Sequence, residues 1–222
     1  MLRISCLHTA ETNIEIFEAA RRQLRLDDVA LHHRVRADLL AAAESAGGPT
    51  PLVLQRTAAE LGSLCRGADA VLITCSTLGP AAALAQAATQ VPVLRVDQAL
   101  AEEAVKNGGL VIVLCAAGTT IAPTRALFER AALATNAEVE VRLVPGAWDR
   151  FRAGDREGYL SMVADAADIA AGEGAMVALA QASMAGAADR CREALPLTSP
   201  VVGLAATVAA AQAPVESFSQ QT

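Results

Sequence analysis

Residues 71–80, VLITCSTLGP, carry the reading on which the fold turns. An apolar run, Val71-Leu72-Ile73, ends in four small polar residues, Thr74-Cys75-Ser76-Thr77, and Leu78-Gly79-Pro80 then opens an alanine-rich helical stretch. This pattern is a strand, a polar turn and a helix start. Thr77 suits an N-cap, and Pro80 suits the first helical turn because a proline there forfeits no intrahelical hydrogen bond. Several backbone N–H groups lack partners at such a turn, and their partial positive charge favours thiolate, so a lowered pKa is expected for Cys75. Cys75 is therefore the first candidate for a working residue. The alternative is a small buried hydrophobe, a common fate of free cysteine.

Strand and helix alternate on both sides of this unit. Residues 2–7 read as a strand ending at His8-Thr9, and residues 11–26 carry Ile14, Phe17, Ala20 and Leu24 at near-helical spacing. Residues 29–35 read as strand, 37–46 as a helix closed by Gly47-Gly48-Pro49, 51–64 as helix, and 79–88 as helix. Residues 91–96 are the next strand, and Asp97 caps a helix running to Lys106. Residues 110–114, LVIVL, are buried strand, with a polar turn at Gly118-Thr119-Thr120 and a helix over 123–135. Strands at 139–144 and 175–179 flank a helix at 156–171; after Gln181-Ala182-Ser183-Met184 come a helix to about 193, a strand at 200–202 and a last helix at 203–211. Residues 214–222 are polar and expected to fray. Such alternation predicts parallel sheet with helices on both faces.

Composition agrees. Hydrophobic residues make up 53% of the 222 and aromatics only 3%, so the core is built from Ala, Val, Leu and Ile, which suits helices packed on parallel strands. No run approaches the ~20 apolar residues of a membrane span, and no basic N-terminal region precedes an apolar one, so we read a cytoplasmic protein. A net charge of −6 with scattered arginines argues against a nucleic-acid surface. Lys106 is the sole lysine, which argues against Schiff-base chemistry. The five cysteines form an odd set without a CxxC pair, so neither a disulfide framework nor a zinc cluster is indicated.

The chain also matches itself. Ile4 in LRISCLHT aligns with Ile112 in LVIVLCAAGT, and Pro92 in QVPVLRV with Pro200 in TSPVVGL, both at an offset of 108 residues. Two similar α/β halves follow: residues 1–97, and residues 98–202, with the closing helix at 203–212 packing back on the first. Ligands of open parallel sheets sit beyond the carboxyl ends of the strands. If the halves face each other, His8-Thr9, Cys75-Ser76-Thr77, Gly118-Thr119-Thr120 and Gln181-Ala182-Ser183 line one cleft.

At TCSTLGP, at GTTIAPT (residues 118–124) and at SPVVGLAATVAA (residues 199–210), the chain resembles the aspartate, glutamate and hydantoin racemase superfamily. The resemblance implies two pseudo-symmetric domains with the active site between them, no cofactor, and commonly a homodimer or higher homo-oligomer. It also implies a small carboxylate or hydantoin-like substrate, from whose α-carbon one cysteine removes a proton while a second returns it to the opposite face. The chain departs from that pattern in its second half. The run Leu179-Ala180-Gln181-Ala182-Ser183 has Gln181 where the second cysteine belongs, whereas the constant offset of 108 puts Ser183 opposite Cys75. Neither side chain is a useful proton donor near neutral pH.

Cys75 is thus expected as the single acid, base or nucleophile, with Gln181 across from it. Ser76 and Thr77, and Thr119 and Thr120 from the other half, are expected to hold a carboxylate or enolate oxygen; His8, Thr9, Ala182 and Ser183 complete the expected lining. His8 is a possible second acid or base, and His32 and His33 are read as structural. Trp148 and Asp155 fall where a lid can form. Three readings stay open: an isomerase acting at an α-carbon, a one-sided decarboxylase or lyase on a malonate-type acid, and a non-catalytic binding protein.

Overall fold

The computed structural model describes residues 1–193 and 195–213; the polar stretch 214–222 lies outside them. The first lobe runs β1 (Leu2–His8), α1 (Thr12–Gln23), β2 (Val29–Val35), α2 (Ala37–Ser45), α3 (Pro51–Leu64), β3 (Ala70–Ile73), α4 (Ala81–Gln86) and β4 (Val93–Arg95). Helix α5 (Val96–Val105) leads to the second lobe: β5 (Gly109–Cys115), α6 (Gly118–Ala132), β6 (Ala137–Leu143), α7 (Ala147–Arg152), α8 (Arg156–Gly172), β7 (Met176–Leu179), a 3-10 helix (Ala182–Arg190) and β8 (Leu197–Thr198). Helix α9 (Ser199–Gln212) closes the described chain. Among the described residues the strands form two four-stranded parallel sheets, ordered β2-β1-β3-β4 and β6-β5-β7-β8. None of the described helices is long and apolar enough to cross a membrane.

Each sheet is covered on both faces. In the first lobe, Leu39, Leu61, Val71 and Ile73 pack on one side, and Ile4, Phe17, Leu72 and Leu204 on the other. In the second, Ile112, Tyr159, Val163 and Leu179 pack on one side, and Leu100, Val113, Phe128 and Ala178 on the other. The two sheets exchange helices. Helix α5 follows β4, yet its Leu100, Ala101, Ala104 and Val105 pack in the second lobe; α9 follows β8, yet its Leu204 and Val208 pack with Ile4 and Phe17 in the first. The pair meets where Gly203 lies against Val96, so closely that a Cβ on Gly203 would fall 2.5 Å from Val96 Cγ2 and 2.8 Å from its carbonyl oxygen.

Ladder register replaces the constant offset. Ile4 stands opposite Ala70 and Val111 opposite Met176, which makes Val111, not Ile112, the counterpart of Ile4. The amides of Thr74 and Ala180 donate to Leu7 and Leu114 respectively, each at 3.0 Å. Cys75 and Gln181 each follow by one residue and are therefore equivalent, and Ser183 lies two residues further along. The loops of the second lobe have different lengths, so the offset drifts between the strands. Pro92 precedes β4, whereas Pro200 lies in the first turn of α9, and the strand expected at 200–202 is helix; the edge strand there is Leu197–Thr198.

Other expectations shift for local reasons. Helix α6 starts at Gly118, so Thr119 and Thr120 lie in its first turn rather than in a loop, and Pro123 sits inside the helix. Helix α4 starts at Ala81 without a side-chain cap, so Thr77 does not cap it. Asp97 is likewise not a cap: it lies in the first turn of α5, almost fully buried, and takes a two-pronged ion pair from Arg95 at 2.9 and 2.8 Å. Helix α7, at six residues, is too short to carry a helical period in the sequence; Gly146, at φ 77, turns the chain into it.

His8 ends β1 with its ring fully buried, against Phe17 (centroids 5.4 Å apart) and His33 (5.1 Å). Its Nδ1 is 2.8 Å from Thr74 Oγ1, and its Nε2 is 2.8 Å from His33 Nδ1. Burial, and then the neighbouring His33, lower its pKa from 6.5 to about 3. Between those values the unfolded chain binds a proton that the folded chain refuses, so stability falls as pH drops through that window. Replacing His8 by Gln is expected to remove about one proton from this dependence, roughly 1.4 kcal/mol per pH unit, as read by urea unfolding at pH 7, 6 and 5. Gly203→Ala is expected to lower the melting temperature, because overpacking against the Val96 backbone costs about 1–3 kcal/mol and outweighs the better helix propensity of alanine.

Candidate active site

The carboxyl ends of β1, β3, β5 and β7 converge between the lobes around a cavity of about 230 Å³. Thr9, Cys75, Ser76, Thr77, Thr120, Gln181, Ala182 and Ser183, all expected there, line it. Three expected residues do not, Gly118 at the start of α6 among them. His8 is buried behind the wall, with both ring nitrogens engaged as described, and only its partner Thr74 reaches the cavity. Thr119 stands outside the lining and touches the site through Thr77.

Polar side chains of the strand-end turns are engaged across the lobes. Ser76 Oγ donates to the carbonyl of Ala180 at 3.0 Å. The Thr77 hydroxyl shares hydrogen bonds with those of Thr119 at 3.3 Å and Thr120 at 3.1 Å. These hydroxyls bind lobe to lobe. Ser183 Oγ is paired with Tyr159 OH at 2.8 Å. Gln181 Oε1 accepts from the backbone N–H of Ala116 at 2.6 Å and of Ala117 at 3.1 Å, so its carbonyl closes the end of β5 and its NH₂ remains as the donor.

Cys75 is half-buried, with the Thr9 hydroxyl and the backbone N–H groups of Thr77 and Leu78 close to its sulfur; the Leu78 N–H itself donates to the Cys75 carbonyl at 3.2 Å. The N–H groups act in the expected direction, but burial is larger: desolvation raises the thiol pKa, these three donors pull it back in part, and Asp97 adds to the rise. The direction is thus opposite to the lowered value expected from the turn alone. A thiol held in its protonated form is a proton donor at rest.

Charge at the cavity comes from elements the sequence did not flag. Arg152, exposed on α7, is the one basic side chain among the lining residues, and Glu44 on α2 the one acidic. Trp148 Nε1 donates to Glu44 Oε1 at 2.7 Å, tying α7 of the second lobe to α2 of the first across the cavity, and stacks on Phe151 at 4.8 Å. The aromatic and basic residues of AWDRFR, residues 147–152, were the available signal, and an unrecognised six-residue helix hid it. Asp155, which falls with Trp148 where a lid can form, caps α8 by accepting from Gly158 N at 2.9 Å. The remaining donor cluster is Cys6, His8 and His33, within 4.8 Å of one another. It is poorly suited to a metal, since His8 has no free ring nitrogen and burial, with Glu18 nearby, pushes the Cys6 thiol up to about 12.

The family model described as Asp/Glu/Hydantoin racemase matches residues 8–213. Among solved structures, an allantoin racemase from Pseudomonas fluorescens is similar over 94% of this chain and 90% of its own, with 18% identity and a TM-score of 0.69. A glutamate racemase isoform from Bacillus anthracis is similar over 94% and 81%, at 16% identity and 0.69, and a putative Asp/Glu racemase from Yersinia pestis over 96% and 100%, at 14% and 0.64. No curated protein sequence matches. At these identities the solved structures speak for the two-lobed fold, and the family model, which covers nearly the whole sequence, speaks for descent. The chain belongs to the Asp/Glu/hydantoin racemase family.

Proposed function

We propose that this protein is a cofactor-independent enzyme that moves a proton at the α-carbon of a small carboxylate or cyclic amide, with Cys75 as its acid/base. The observation that carries this reading is the surrounding of the Cys75 sulfur: a small cavity between the lobes, with the Thr9 hydroxyl and two backbone N–H groups close beside it. Those donors stabilise a thiolate once the proton has left, and burial returns the proton afterwards, which is what a reversible acid/base requires. Arg152 on the rim is the natural partner for a substrate carboxylate. The Gln181 NH₂ donates to a carboxylate or carbonyl oxygen from the other lobe.

The family's usual exchange between two thiols has no second thiol to use at Gln181. A one-sided variant, in which Cys75 delivers its proton to one face of an enolate such as that left by loss of CO₂ from a malonate-type acid, is favoured by two features. The Cys75 thiol is held protonated by burial, and Gln181 has no proton of suitable acidity to return.

The test is deuterium incorporation at the α-carbon over a panel of α-substituted acids, hydantoins and malonates in heavy water. Cys75→Ala is expected to reduce incorporation at least ~10²-fold, the usual contribution of a positioned acid/base. Label in one enantiomer only supports the one-sided variant; equal label in both supports racemisation; incorporation unchanged in Cys75→Ala overturns the proposal. Arg152→Ala is expected to raise KM by roughly 10–100-fold with a smaller effect on kcat, in line with the loss of a charged hydrogen bond worth about 1.5–3 kcal/mol.

A further inference from the structure

A chain of hydrogen bonds runs behind the cavity wall. Thr74, which lines the cavity, has its Oγ1 2.8 Å from His8 Nδ1; His8 Nε2 is 2.8 Å from His33 Nδ1; and His33 Nε2 is 3.3 Å from Glu18 Oε1. The chain begins in the cavity and ends at side chains still open to solvent, His33 at 13% and Glu18 at 25%. The groups facing it are Cys6 on β1, Phe17 and Arg21 on α1, and the carbonyl of Leu7; Arg21 pairs with Glu18 at 2.9 Å.

Counting protons along it gives two complete arrangements. Thr74 Oγ1 is also 3.1 Å from the Leu7 carbonyl, so its single proton has two acceptors to choose from. In the first arrangement Thr74 donates to His8 Nδ1, His8 donates from Nε2 to His33 Nδ1, and His33 donates from Nε2 to the Glu18 carboxylate. Both rings are neutral. In the second, Thr74 donates to Leu7, His8 Nδ1–H donates to Thr74, and His33 donates from Nδ1 to His8 and from Nε2 to Glu18. His33 is then an imidazolium beside a carboxylate, and His8 is neutral in its other tautomer. The two differ by one proton. A proton arriving on the Thr74 oxygen from a group in the cavity sends the hydroxyl's own proton to His8 Nδ1, and the proton on His8 Nε2 passes to His33. Only O–H and N–H bonds form and break.

We propose that Thr74, His8, His33 and Glu18 form a proton relay between the cavity and the protein surface, in which a proton leaving the cavity is stored on His33 against Glu18. His8, His33 and Glu18 are positioning residues that act through Thr74. The relay gives a site with one thiol a route for restoring its protonation state while substrate or product covers the cavity mouth. That use rests on the acid/base role proposed for Cys75; the proton exchange along the relay does not.

Histidine ring ¹⁵N–¹H correlation spectra of the full chain between pH 5 and 9 test it, with His32→Gln and His33→Gln giving the assignments. The relay predicts that His8 stays neutral but exchanges its protonated nitrogen, Nε2 for Nδ1, at the same midpoint at which His33 gains its proton. Glu18→Gln is expected to move both midpoints together to lower pH, because it removes the anion that favours the imidazolium. Thr74→Val is expected to abolish the tautomer exchange of His8, and Cys75→Ala to leave it in place even where deuterium incorporation is lost. A single His8 tautomer throughout the titration of His33, no titration of His33 in this range, or a shift of one midpoint without the other overturns the proposal. Glu18 is partly exposed, so its variant keeps the test decisive if Thr74→Val fails to fold.

Discussion

The hydroxyls that cross between the lobes are the constraint from which the rest of the site follows. Ser76 reaches the carbonyl of Ala180, and Thr77 meets Thr119 and Thr120, all at strand ends where parallel sheets leave backbone groups without ladder partners. A buried hydroxyl or carbonyl left unpaired costs about 1–3 kcal/mol, so these groups are satisfied only while the two turns stay together. Each turn then brings its next side chain into a shared cavity, a sulfur from one side and an amide from the other. The exchange of α5 and α9 between the sheets acts in the same direction, because neither lobe completes its core without the helix that follows the other.

Inside that cavity the balance of charge is decided by burial more than by the backbone dipoles. Two N–H groups and a hydroxyl favour the Cys75 thiolate, yet desolvation in a small enclosed space outweighs them. Asp97, buried for its ion pair with Arg95, adds to the rise. The basic group that lines the cavity, Arg152, sits exposed at its rim. His8 shows the same physics from the basic side: enclosed among Phe17, His33 and Thr74, it is held neutral and offers tautomers instead of charge.

Much of this fold was legible because its elements are long or strongly patterned. The strand at 29–35 and the helix at 51–64 stand where the residue pattern places them, and the structure adds that Thr50 caps the helix by accepting from Val53 N at 3.3 Å. The two-residue strand at 197–198 and the six-residue helix at 147–152 are too short to carry a period, and a proline read as part of a strand proved to lie in the first turn of a helix. That Cys75, Gln181 and their neighbours share one cavity was legible because polar residues interrupt apolar strands at matching places in the two halves. Arg152, Glu44 and the interior position of His8 were not, since each depends on how one lobe lies against the other.

By itself the sequence determined that this chain alternates strand and helix in two matching halves, and that a thiol stands at one strand end where an amide stands at the other. Local pattern suffices for that, because parallel strands must be apolar and their ends must turn. Tertiary structure alone decided which side chains remain free for a ligand, which way the thiol titrates, and that His8 looks inward. Those properties are set by groups more than sixty residues apart in the chain, brought within 3 Å by packing.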